Sequence, residues 1–481
     1  MAEVIVVGAG PTGLMLAGEL SLAGVDCAVL ERRTNQEVLG SRGLGLHART
    51  IEMFDQRGIV DRFLAEGEVA QVVGFGSTRL DISDFPSRHP YGLGLRQEHT
   101  ERILAEWLEE LGVRVEYGQE VTEFDQDENG VNARLANGKS LRAQYIVGCD
   151  GGRSLIRKTA GIDFPGWDPT MSNLIAEVEL TEEPQWGVHR HRFGTQAFNK
   201  LESGRAGLVV AERLAQQGAA PSLDELRAAL VDVWGTDYGA HNPSSLSRFT
   251  DMARQAASYR SGRVFLAGDS AHVHSPVGGQ GLNTGVQDAA NLGWKLAQVI
   301  HGVSPDNLLD TYHQERHPVG AKVVQQNLAQ TALMRVDDRV QALNETISDF
   351  LSMDEPRKSL AGMLSGLDIH YDIGQGHPLL GRRIPDLDLE TANGPARVFT
   401  FLHEARPILL NLGAAHSLDC TLWAGRVKHV DARFEGVWEL PVVGEVPAPT
   451  VVLIRPDGYV AWVGQGSLQG LDDSLAFWCG R

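Results

Sequence analysis

The chain has 481 residues, 42% hydrophobic and 22% charged, with a formal net charge of −19. That length suggests roughly two to four domains with ample apolar material for a core, and the acidic balance disfavours nucleic acid, whose phosphates need a basic surface. No run of about 20 apolar residues predicts a membrane span, and four cysteines (Cys27, Cys149, Cys420, Cys479) without a C-x-x-C pair suit a reducing cytoplasm.

Residues 4–7, Val-Ile-Val-Val, predict a buried strand. Although 4–18 is apolar, it follows Met-Ala-Glu instead of a basic segment and is rich in glycine, so it is not read as a secretory signal. Gly8, Gly10 and Gly13 stand in G-x-G-x-x-G order around Pro11 and Thr12. Residues 14–23 predict a helix stopped by Gly24, and 25–30 predict a second strand that delivers Glu31. Strand, glycine turn, helix, strand and acid make a dinucleotide-binding unit. In it Gly8 allows the tight turn, Gly10 lets a pyrophosphate reach the backbone, and Gly13 lets helix and strand pack closely. The helix N-terminus supplies N–H groups for the anionic bridge. Glu31 accepts from a ribose hydroxyl and repels a 2′-phosphate, so NADP is disfavoured at this turn.

Further on, 98–111 predicts a helix, 114–117 a strand, and 121–143 a β-meander turning at "DENG" and "NGKS". The apolar strand 145–148 leads into Asp150-Gly151-Gly152. Residues 171–260 are polar, predicting few strands and a helix over 222–234. A buried strand at 264–267 precedes "GDSAHVHSPVGGQGLN", and two long helical patterns follow over 282–300 and 308–334. A last unit, 376–481, carries strands near 408–412 and 427–430 and a hairpin, "TVVLIRPDGYVAWVG".

Three pieces in this order, the 8–13 turn with Glu31, "GCDGGRSLIR" and "GDSAHVHSPVGGQGLN", resemble the FAD-dependent aromatic-ring monooxygenases of the para-hydroxybenzoate hydroxylase type. Within that class the chain most resembles the angucycline and tetracycline polyketide hydroxylases and rifampicin monooxygenase. The resemblance implies an α/β plus α+β architecture. It places a discontinuous Rossmann-like FAD-binding domain over 1–170 and 261–375 with the meander interleaved, a β-sheet substrate domain over 171–260, and a thioredoxin-like domain over 376–481. It also implies that Asp269 bonds the ribityl chain and that Pro276, Gly279, Gly281, Leu282 and Asn283 run along the isoalloxazine ring, where glycines avoid Cβ clashes. Pro11, Thr12, Arg32 and Asp150 count with the cofactor contacts. Arg42 resembles an arginine near the pyrophosphate or nicotinamide route, and Gln97 a glutamine on the ribityl–phosphate segment. Arg153 and Arg157 are read either as nicotinamide-phosphate contacts or as ion-paired structural residues.

No second strand–GxGxxG–helix unit occurs, so NADPH or NADH is expected to dock transiently. The implied chemistry is reduction of FAD by NAD(P)H, reaction with O2 to a C4a-hydroperoxyflavin, and transfer of one oxygen to a polycyclic aromatic polyketide. No dedicated catalytic side chain is expected, and the loop residues Pro276, Gly279 and Gly281 stand for the reacting site. Baeyer–Villiger oxygenation, rifampicin-type antibiotic modification and a non-oxygenating flavin redox sensor are the other readings. The pairs His272/His274 and His189/His191 lack a third ligand for a metal, and no G-x-S-x-G elbow occurs. "YHQERHP" at 312–318 is read as a helix-packing ion pair with Pro318 breaking or kinking the helix. Trp186, Phe193 and Phe198 are candidates to line a pocket that is open, truncated or unusual. No nucleic-acid or membrane partner is expected, and the chain is read as a monomer or homodimer.

Overall fold

The computed structural model describes residues 2–37, 43–191, 194–201, 203–216, 220–415 and 418–480. Its centre is a parallel sheet in the order Val115–Tyr117, Cys27–Glu31, Val4–Val7, Tyr145–Gly148, Val264–Leu266, with Arg260–Ser261 antiparallel at one edge. Strands covered on both faces read as continuous apolar runs, as Val4–Val7 and Tyr145–Gly148 do. Helix Pro11–Leu22 packs between helices Gln97–Glu110 and Gln280–Ile300, and small residues set the spacing. A Cβ on Gly18 would fall 2.2 Å from the Trp107 ring, and one on Gly293 would fall 2.5 Å from Glu19 Cβ. The meander is the antiparallel trio Val121–Asp127, Gly130–Leu135, Ser140–Ala143.

The region 171–260 departs from the sparse strands its polarity predicts. It holds a five-stranded antiparallel sheet ordered Gly187–His191, Gly194–Lys200, Ala206–Ala211, Ser172–Glu179, His241–Thr250. Leu174, Ala176, Val178, Leu208 and Val210 are buried against helix Leu223–Trp234, which Ser222 and Glu225 start with a capping box. The buried apolar residues are concentrated on that one face, and outer strands such as His241–Thr250 carry few of them.

Two helices without an expectation, Asp338–Leu351 and Asp354–Ser365, follow helix Asp310–Leu333. Helix Asp310–Leu333 contains Pro318 and continues through it, so of the two expectations, a break or a kink, the break is not met. Residues from 388 onward build a six-stranded mixed sheet, with Ile408–Asn411 parallel to Lys428–Arg433 and antiparallel to Val451–Ile454, which pairs in turn with Val460–Gly464.

Candidate functional site

The first glycine turn divides its glycines between protein and ligand. Gly8 has φ +103°, and a Cβ there would lie 2.4 Å from the Cys149 carbonyl oxygen; a Cβ on Gly13 would lie 1.9 Å from the Gly8 carbonyl oxygen. Gly10 differs, because no atom lies within 4 Å of where its Cβ would stand. Packing therefore requires the outer two glycines, while the middle one borders open space. Helix Pro11–Leu22 begins with proline, has no side-chain cap and has no acid in its first turn. Its leading N–H groups are left for an anion. Glu31 is buried and accepts from the Ala9 and Arg33 amides, each at 2.8 Å. Arg32 is exposed, whereas Arg33, which the motif does not mark, turns inward to Glu101 at 2.9 Å and to the Ala9 carbonyl at 3.0 Å.

The second loop is held from several directions. Gly278 and Gly279 adopt φ +77° and +64°, left-handed conformations that the Pro276–Gln280 turn needs in succession. Gly281 is helical, and a Cβ there would stand 3.3 Å from Asp269 Oδ1. Asp269 itself is exposed and accepts no protein hydrogen bond among the described residues. Asn283 accepts from the His47 amide at 2.7 Å and donates to the Gly45 and Gly279 carbonyls at 3.2 and 2.8 Å. Asn327 donates to the Ser275 and Val277 carbonyls at 2.8 and 3.0 Å. Helix Gln280–Ile300 again starts without side-chain cap or acid in its first turn. Burial pulls His47 down to about 4, so it is neutral in this loop.

The two loops meet at Thr12. A Cβ on Gly268 would lie 2.6 Å from Thr12 Oγ1, and one on Gly285 2.2 Å from it. Thr12, from the first turn, thus fills a notch between the strand end that precedes Asp269 and helix Gln280–Ile300. Gln97 joins the same cleft by accepting from the Gly43 amide at 3.2 Å, and Leu282 packs beside Gly43. The residues 8–13, 43–47, 97 and 268–283 therefore converge, although up to 275 positions separate them.

Other candidates take different places. Asp150 accepts from Ser154 Oγ, Ser270 Oγ and the Leu155 and Ile156 amides, so its carboxylate ties the 150–154 turn to the 268–270 turn. Arg157 donates to the Ser270 and Gly152 carbonyls and lies 3.6 Å over the Phe164 ring, which makes it a structural arginine. Arg153 is exposed. His272 is buried against Asp288 at 2.8 Å, and no group of three metal-ligating side chains occurs among the described residues. Phe198 belongs to a core cluster with Trp234 and Tyr238, so it lines no pocket; Trp186 is exposed and bonds Glu183. Arg42 and Phe193 lie outside the described residues.

Sequence relationships agree with this geometry. Residues 1–327 match the FAD binding domain family, and residues 377–481 match the aromatic-ring hydroxylase C-terminal family. The chain belongs to the FAD-binding aromatic-ring hydroxylases. As a member of that family it is a flavin-dependent monooxygenase. It is 43% identical to the 12-dehydrotetracycline 5-monooxygenase/anhydrotetracycline 6-monooxygenase of Streptomyces rimosus, over 99% of each chain. It is also 43% identical to the rifampicin monooxygenase of Streptomyces venezuelae, over 100% of this chain and 99% of that one. CabE, an aromatic hydroxylase from angucycline biosynthesis, superposes with a TM-score of 0.90 at 41% identity, over 100% of both chains. This aromatic-ring hydroxylase contains no helix long and apolar enough to cross a membrane among the described residues.

Proposed function

We propose that the chain hydroxylates a flat polycyclic aromatic substrate of the polyketide class, using O2 and NADPH or NADH. The observation that carries the FAD part is the meeting at Thr12 of two uncapped helix starts, with open space at Gly10 and an exposed carboxylate at Asp269 that accepts no hydrogen bond among the described residues. Bound FAD supplies a ring that takes hydride from the nicotinamide and activates O2 for oxygen transfer. The first helix start and Gly10 would hold the pyrophosphate, Glu31 the adenosine ribose and Asp269 the ribityl hydroxyls. The start of helix Gln280–Ile300 would stabilise negative charge on a flavin ring bound there, and Pro276, Gly279 and Gly281 would lie along that ring. Asn283 and Asn327 keep that loop still.

The substrate is placed against the sheet face opposite helix Leu223–Trp234. One cross-strand row there reads Ala197, Val209, Ile175, Ser247. Such a row offers an aromatic plane apolar contact, while the Ser245 and Ser247 hydroxyls, buried without a partner among the described residues, offer it hydrogen bonds. The region 171–260 is accordingly read as the substrate domain, between FAD-binding segments 1–170 and 261–375. The unit 376–481 is read as thioredoxin-like, in support of which stand its parallel pair and following antiparallel hairpin. Its two cysteines, Cys420 and Cys479, form no C-x-x-C pair, so no dithiol chemistry is read into it.

A rifampicin-like substrate is the second reading, favoured by an identity to that monooxygenase equal to the tetracycline one. Purified protein should be yellow, release FAD on denaturation, and oxidise NADPH or NADH faster when a tetracyclic or angucyclic phenol is present. Mass analysis should show a gain of one oxygen with the ring system intact. A ring-expanded or ester product would replace hydroxylation by Baeyer–Villiger chemistry. Flavin reduction with no oxygenated product from any candidate would overturn the hydroxylase reading in favour of a redox sensor.

A further inference from the structure

The hairpin between Val451–Ile454 and Val460–Gly464 turns through Arg455-Pro456-Asp457-Gly458, and all four residues are buried. Polar turn tips normally lie in water. This one is inserted into the FAD-binding region. Arg455, 1% exposed, forms a bidentate pair with Glu315 at 2.7 and 2.9 Å. Arg49 donates to the Asp457 carbonyl and Arg57 to the Pro456 carbonyl, each at 2.9 Å. Asn291 reaches Glu315 at 2.6 Å and Asp457 at 3.3 Å, and Lys295 reaches Asn291 and Glu315 at 2.8 and 2.9 Å.

The contacts continue toward the cleft. Thr284, Asp288, Asn291 and Lys295 recur at three- and four-residue steps on helix Gln280–Ile300 and so share one face. Arg316, next to Glu315, donates to Asp288 at 2.7 Å, to the Thr284 carbonyl at 3.2 Å and to the Tyr371 hydroxyl at 3.1 Å. Asp288 in turn accepts from the Gly268 amide at 3.1 Å and from His272 at 2.8 Å, the residues that flank Asp269. Burial opposes charge on Glu315, but Arg455 and Lys295 override it and hold its carboxyl at about 2. Burial brings Lys295 down to about 8 against the pull of Glu315. Charges this deep are costly unless each stays paired, so the network tolerates few alternative geometries.

We propose that the Arg455–Asp457 tip is a brace for the flavin site: through Glu315, Arg316 and Asp288 it fixes the Gly268–His272 turn and thereby aims Asp269. Arg455, Arg316 and Asp288 are positioning residues, and the C-terminal unit is a working part of the cofactor cleft. The inference rests on the FAD reading above.

The test uses the full-length protein stripped of flavin and titrated with FAD, following flavin fluorescence, alongside thermal unfolding. Arg455→Lys keeps the charge but loses the bidentate pair, Arg455→Met removes both, and Asp288→Asn keeps size while weakening the grip on His272 and Arg316. Val430→Ala, in the C-terminal core on strand Lys428–Arg433, which contributes no side chain to the network, is the control for a general loss of melting temperature. Each network variant is expected to raise the FAD dissociation constant about tenfold or more, with a changed spectrum of the bound flavin, while Val430→Ala leaves both as in the parent. If Arg455→Met does not fold, Arg455→Lys and Asp288→Asn decide. Unchanged affinity and spectrum in those two, with the parent binding FAD, overturns the brace alone. Equal weakening by Val430→Ala also overturns it, since general destabilisation then accounts for the effect. A parent protein that takes up no FAD overturns the flavin reading together with the brace.

Discussion

The two glycine loops that meet at Thr12 are built on different principles. In the 8–13 turn the constraints are local or come from the adjoining strand: Gly13 against the Gly8 carbonyl, Gly8 against Cys149, and Glu31 on the Ala9 amide. In the 268–283 loop they come from remote elements: Asn283 to Gly45 and His47, Asn327 to Ser275 and Val277, Asp288 to Gly268 and His272. The first loop is therefore fixed largely by its own βαβ unit and the one strand beside it. The second is held by bonds from residues far along the chain, Gly45 and His47 on one side and Asn327 on the other.

The sharpest way to break the comparison is inside the first loop. Gly13→Ala puts a methyl 1.9 Å from a backbone oxygen, a clash no rotamer relieves. Loss of bound flavin and a stability loss of about 3 kcal/mol or more are expected, by absorbance and denaturant unfolding. Gly10→Ala meets open space, so its melting temperature should hold while FAD affinity falls. Equal loss of stability in the two variants would show that Gly10 borders no ligand space.

The second loop should respond to acid. The unfolded chain protonates His47 near pH 6.5, whereas burial holds the folded residue at about 4. The unfolded state thus binds the extra proton in between. Stability from this residue is complete above about 6.5 and declines as pH falls toward 4, by up to about 3 kcal/mol. Denaturant midpoints measured from pH 7 to 4 should show the slope, and His47→Gln should flatten it. Asn283→Ala removes three loop-holding bonds at once. A stability loss of about 1–3 kcal/mol and faster FAD release by stopped-flow dilution are expected. The smallest effect belongs outside both loops. Ser247→Ala should leave FAD binding and melting temperature unchanged and shift KM for the substrate by about a few fold; a loss of flavin instead would misplace the substrate face.

Legibility followed the same division. The strand at 4–7, the glycine turn, the acid at Glu31 and the helix after the second loop stand within a few residues of their expected positions. Arg33 escaped notice because its partner Glu101 lies 68 positions away, and nothing local distinguishes it from Arg32. Phe198 looked available to a ligand, yet cross-strand pairing turns it toward Trp234. The strands of 171–260 are hard to read because an edge strand such as His241–Thr250 is polar on both faces, with Ser245 and Ser247 on one and Arg248 on the other, so it shows little apolar alternation. The "HQER" segment did signal an ion pair, but its partners, Asp288 on one side and Arg455 on the other, have no local mark.

What the sequence by itself determined is the dinucleotide turn and its family, because those requirements are on the backbone: positive φ, close approach and an uncapped helix start are written in residue types at fixed short spacing. The tertiary structure alone decided which charges are buried together, which face of the 171–260 sheet packs on helix Leu223–Trp234, and that a hairpin tip near the C-terminus closes on helix Gln280–Ile300. Those outcomes depend on partners separated by up to 408 positions, and a pairing over such distances leaves no periodic trace in the chain.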